Sequence, residues 1–73
     1  MNTNTASIDS FEENEGQTTI YLKWGGAHSV EDFEVARLGT VAACGNIEPG
    51  VGWVCLSGEW KLPTDDSIPL KSA

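Results

Sequence analysis

Seventy-three residues carrying eleven acidic and four basic side chains, a formal charge of −7, make one domain near the lower limit of what folds unaided. Direct binding to DNA, RNA or an anionic membrane needs clustered Lys and Arg, and Lys23, Arg37, Lys61 and Lys71 are scattered. The same charge suits a basic patch on another protein.

Residues 1–17 are mostly Asn, Thr, Ser and Glu, with Ile8 and Phe11 as the large apolar side chains after Met1. Such a stretch buries too little apolar surface to offset its ordering entropy, so a disordered acidic N-terminal tail is expected. Residues 64–73 are similar, and Pro69 further discourages regular structure there. The foldable part is then residues 18–63, with a core contributing about 3–5 kcal/mol net. No apolar run reaches the length of a membrane span or an export signal, which makes the cytoplasm the default compartment and keeps Cys44 and Cys55 reduced. Two cysteines without a second pair or a histidine cluster make no zinc site. They read as apolar thiols in neighbouring strands, with a facultative disulfide between them as the alternative.

In chain order, TTIYLKW (residues 18–24) alternates strictly, placing Ile20, Leu22 and Trp24 on one face of a half-buried strand. Gly25-Gly26 ends it. Ser29 followed by Asp32 has the form of a helix N-cap with its reciprocal acid, and Glu31, Asp32 and Glu34 suit the positive end of a helix. With Gly39 as a C-cap, a short helix over residues 30–38 is predicted. A single strand over residues 33–44 competes with it, against which Gly39 counts. TVAAC (residues 40–44) reads as a short strand and GNIEPGVG (residues 45–52) as a loop, with Pro49-Gly50 the central pair of a type II turn. Residues 53–56 and 59–62 then read as a hairpin around Ser57-Gly58 that sets Cys55 opposite Trp60 and Trp53 opposite Leu62. The expected architecture is α+β: a small antiparallel sheet of three to four strands with one short helix and disordered termini.

The chemistry of catalysis finds little support. His28 lies alone in a Gly-Gly-Ala loop, and neither cysteine has an adjacent base to lower its pKa. The glycines of residues 45–52 lack the Lys-Ser/Thr of a phosphate loop, and Glu48 would repel phosphate. Glu12-Glu13 and Asp65-Asp66 fall in the expected tails, and no calcium-loop pattern occurs. The reading is a non-enzymatic binding module with no cofactor and no metal. Tryptophan is enriched at binding hot spots. Three tryptophans crowd a small core, so each of Trp24, Trp53 and Trp60 is either core or surface. Trp24 and Trp60 are candidate partner contacts, together with Phe33 and the flanking acids Glu31, Asp32 and Glu34. The reading of those acids as a solvated, dipole-matched helix start outweighs the contact reading.

In length and in its tiny, acidic mixed core, carried by IYLKWGG, SVEDFEVARLG and GWVCLSGEWKLP, the chain resembles the small phage-encoded regulators that bind bacterial RNA polymerase, such as that of a Xanthomonas phage. The resemblance implies a monomeric protein of the host cytoplasm. It would contact the polymerase near the β′ N-terminal region and the β flap, displace the initiation σ factor and promote antitermination. Two other classes compete. One is an inhibitor that mimics DNA on a nucleic-acid-binding protein, which the placing of Glu12, Glu13, Glu15, Asp65 and Asp66 in tails would weaken. The other is a structural or decoration protein of a larger assembly, which would show a self-complementary apolar face.

Overall fold

A computed structural model of the chain describes residues 4–71. Five strands form one antiparallel sheet: β1 (Thr5–Asn14), β2 (Gln17–Lys23), β3 (Thr40–Glu48), β4 (Val51–Ser57) and β5 (Ser67–Pro69). Their order across the sheet is β3-β4-β2-β1-β5. The predicted strand over residues 18–24 is β2, and its alternation places Thr18, Ile20 and Leu22 on the buried face. That face continues through Val54 and Leu56 of β4, Ala6 of β1 and Ile68 of β5. The opposite face has no second layer among the described residues.

The α+β expectation is overturned. Between β2 and β3 the chain makes two three-residue 3-10 turns, Val30–Asp32 and Val35–Arg37, and no longer helix occurs among the described residues. The cap chemistry is present, since the Ser29 N–H donates to Asp32 Oδ2 at 2.9 Å, but it serves one turn only. Phe33 is extended (φ −103, ψ 157) and forms an isolated bridge with Leu70, while the Glu34 N–H donates to the Pro69 carbonyl at 3.0 Å. Packing explains the break. A continuous helix would spread Val30, Phe33, Val35 and Leu38 around more than half its circumference. Unwinding it at Phe33 turns all four into the core, where each is buried.

The disordered tails are corrected as well, as far as they are described; residues 1–3 and 72–73 lie outside the described residues. β1 occupies most of the expected N-terminal tail and β5 part of the C-terminal one. A register shift between Ile8 and Ser10 interrupts the alternation of Ala6, Ile8 and Phe11, so a period-two pattern is masked. Paired with β2 along most of its length and with β5 over Thr5 to Ser7, the polar strand gains ladder partners that composition does not reveal.

The expected hairpin over residues 53–62 is absent because β4 is already paired on both sides. Trp53 faces Tyr21 and Gly45, and Cys55 faces Thr19 and Ala43. After Gly58 (φ +76) the chain leaves the sheet, and the Lys61 N–H donates to the Leu38 carbonyl at 3.0 Å. β3 also extends through most of the expected loop to the Pro49-Gly50 turn, whose Gly50 has φ +86, as a type II turn requires. Cys44 packs toward the core and pairs with inward Val54, whereas Cys55 lies on the outer face. The two half-buried thiols therefore sit on opposite sides of the sheet and cannot bridge within one chain.

The β1–β2 turn holds Glu15 at φ +51 and Gly16 at φ +79, the type I′ geometry that favours Asn-Gly. A glutamate in the left-handed region is strained. Glu15→Asn should raise the unfolding free energy by about 0.5–1 kcal/mol, read from urea denaturation. Gly52 gives the opposite case: a Cβ there would stand 2.7 Å from Trp24 Cη2 and 2.9 Å from the Gly45 carbonyl oxygen. Gly52→Ala should cost about 2 kcal/mol or more in the same measurement.

Candidate protein-docking surface

Trp24 and Trp60 close opposite ends of the buried face, in different ways. Trp24 lies across Gly52, whose missing side chain leaves the space its ring fills. Its indole Nε1 donates to the His28 carbonyl at 2.9 Å, and its ring meets Phe33 at a centroid distance of 5.2 Å. That combination makes Trp24 a plug. Phe33 itself is 0% exposed and can present nothing to a partner while the chain is folded.

The acidic trio is dispersed in role. Asp32 caps the first 3-10 turn and stands 3.8 Å from His28 Nδ1, and Glu34 pairs with Arg37 at 3.0 Å. Glu31 is exposed and has no side-chain partner among the described residues. Of the six residues singled out from the sequence, Trp24, Phe33 and Asp32 serve the fold, and the acids do not converge on a pocket with Trp60.

At the far end Trp60 is half-buried, and it meets Phe11 edge to face at 5.3 Å. Phe11 is 50% exposed and Leu62 is 53% exposed, and the two line one shallow hollow with Ile8, Asp9 and Asp66. On the other side of Trp60 a second hollow includes Glu13, Glu59, Arg37 and Lys61. The result is a continuous apolar surface of Phe11, Trp60 and Leu62 with carboxylates on both flanks. Lys61 and the Glu34-paired Arg37 stand at one side. Phe11 and Leu62 were missed in the sequence, Phe11 because it fell in an expected tail and Leu62 because it was placed in a hairpin opposite Trp53. The alternation of Phe11 with Glu12 and Ser10 was the available signal.

The outer face of the sheet carries a second feature. Tyr21 and Trp53 are direct cross-strand neighbours. Three atoms of the Trp53 indole lie 3.2 Å from where a Gly45 Cβ would be, so the ring lies flat over that glycine. The Tyr21 hydroxyl donates to Glu12 Oε1 at 2.8 Å. This hydrogen bond, followed by desolvation and the carboxylate charge, raises the Tyr21 pKa above 10.0.

No protein-family model matches the chain, and neither a curated protein nor a solved structure matches it significantly. Among the described residues no helix is long and apolar enough to cross a membrane.

The Tyr21–Glu12 pair gives a direct pH test. The bond favours the neutral phenol, so its contribution to stability is present below the unfolded pKa of about 10 and fades as pH rises through the higher folded value. Glu12→Gln should move the phenolate titration, followed by ultraviolet difference absorbance, down toward 10.0. An unmoved midpoint would mean that the bond does not persist in solution.

Proposed function

We propose that this chain is a small acidic protein-binding module, not an enzyme, that regulates transcription by docking on bacterial RNA polymerase in the host cytoplasm. The observation that carries the docking reading is the exposed Phe11–Trp60–Leu62 surface with Asp9, Asp66, Glu13 and Glu59 beside it. Aromatic and aliphatic anchors supply the lifetime of a complex. Flanking carboxylates supply steering toward a basic partner. The choice of polymerase rests on the resemblance in length and character. It extends to the β′ N-terminal region and the β flap as the contact, with σ displacement and antitermination as the consequences.

One observation also favours the DNA-mimic reading. All eleven carboxylates fall within the described residues, and β1 with its turn holds Asp9, Glu12, Glu13 and Glu15. The objection that Glu12, Glu13, Glu15, Asp65 and Asp66 lie in disordered tails is thereby removed. Against a pure mimic, a phosphate backbone offers nothing like Phe11 and Leu62 at the centre of the charged surface.

Surface-captured polymerase core enzyme, with and without σ, tests both. Association should slow as salt rises, because screening shortens the reach of exposed charge to about 10 Å at 0.1 M. Leu62→Ala and Trp60→Ala should each speed dissociation, by about thirtyfold if they are hot spots worth about 2 kcal/mol. Leu62 is exposed, so its variant keeps the fold where the tryptophan variant loses packing. Absence of binding to either polymerase form sinks the partner. Binding that ignores salt and both variants places the interface on another surface.

A further inference from the structure

The two edges of the sheet are built differently. One is formed by β5, three residues long and ending in Pro69, and by the part of β1 beyond it, which bears Asp9, Glu12 and Glu13. Shortness, proline, charge and bulges are the usual protections of an exposed edge. The other is β3, nine residues long, in which Thr40 to Ile47 contain no charged residue and no proline. Of those protections this stretch has only bulges, near its two ends. Ile47, 56% exposed, sits at its end.

The register shows which backbone groups are unpaired. The Trp24 N–H donates to the Gly50 carbonyl, so the even-numbered residues of β4 bond toward β2 and the odd-numbered ones toward β3. Gly45 and Ala43, the partners of Trp53 and Cys55, therefore face β4, which leaves the backbone of Cys44 and Asn46 directed outward. Among the described residues no turn or loop backbone bond reaches residues 40–48. Register shifts between Val41 and Ala43 and between Asn46 and Glu48 confine regular pairing to the stretch from Ala43 to Asn46, whose side chains on the outer face are those of Ala43 and Gly45.

We propose that this chain forms a two-fold dimer by antiparallel pairing of β3 with β3 of a second copy, centred near Cys44. A second copy is the occupant that fits this edge, because the outward-facing stretch is self-complementary about Cys44 and the neutral strand lets two acidic chains approach there. Each copy is strongly acidic, and β3 is the edge at which two copies approach without opposing carboxylates. The strand order puts β1 three strand spacings from β3 in each copy, with one more spacing across the axis. At about 4.8 Å per spacing the two acidic β1 strands stand about 34 Å apart, several times the screening length of about 8 Å at physiological salt. Such an isologous contact also closes on itself and forms no fibre. This dimer replaces the monomer expected from the sequence, and it does not depend on the polymerase reading: Phe11 and Leu62 lie toward the opposite edge and stay free.

Sedimentation equilibrium of the isolated full-length chain tests it. The expected result is a species of twice 7.8 kDa in reversible equilibrium with monomer. Ala43→Lys, at an exposed outer-face position, sets two like charges at diagonal positions across the axis and should weaken the dimer at least about tenfold. Circular dichroism would establish that this variant is folded. Leu62→Ala should dimerise as the parent does. A chain that stays at 7.8 kDa up to millimolar concentration overturns the proposal, and so does a dimer that survives Ala43→Lys.

Discussion

A single-layer sheet has only one face to bury, and this one buries it under an irregular segment. Residues 30–38 supply Val30, Phe33, Val35 and Leu38, four of the ten buried apolar side chains among the described residues. Phe33 is the centre of that cover. It touches Trp24, bridges Leu70 and is wholly buried, which for a side chain of its size contributes about 1.5–3 kcal/mol. Its extended backbone is what breaks the helix and joins the C-terminal strand to the cover. The sheet, the two turns and β5 are thus coupled through one residue. In a chain with so small a core, the Phe33 contact adds to the hold on β5 provided by its ladder to β1, the buried Ile68 and the Glu34 N–H bond to the Pro69 carbonyl.

That coupling also explains which elements were legible in the sequence. β2 and the Pro49-Gly50 turn are local patterns: strict alternation in one case, a fixed φ next to a free one in the other. The helix over residues 30–38 was a reasonable local reading, because the Ser29–Asp32 cap is real. It failed because a non-local partner, the strand end at Pro69 and Leu70, bonds to Glu34 and Phe33. β1 failed for a related reason. A polar strand with one irregular step has no strong signature alone, and its order comes from its neighbours β2 and β5. The hairpin over residues 53–62 was a correct turn signal at Gly58 with the wrong consequence, since nothing local reveals that β4 is central.

The candidate surface inherits these errors. Trp60 was singled out from the sequence and lies on the exposed end, but its companions Phe11 and Leu62 come from the segments that were misread. Trp24 shows the converse. Gly52, two residues after a glycine needed by the turn, is the residue that makes room for its ring. A glycine at that position in an otherwise apolar strand is a signal of close approach. It distinguishes a buried tryptophan from an exposed one more sharply than composition does.

The distribution of charge gives the molecule its direction. Carboxylates concentrate on β1, its turn and the approach to β5, while β3 is neutral from Thr40 to Ile47. Uniformly spread, a charge of −7 would oppose every contact with another acidic chain and favour every contact with a basic one equally. Segregated, it separates the two kinds of contact by edge. In the proposed reading the acidic edge would attract a basic surface, with Phe11 and Leu62 as anchors, whereas the neutral edge would admit a strand. A dimer through β3 would therefore present two acidic, aromatic surfaces at its distal ends, and a partner with two basic sites within reach would be held by both at once. The second contact would be intramolecular, and its gain would be set by whether the partner's sites match the span between the two ends.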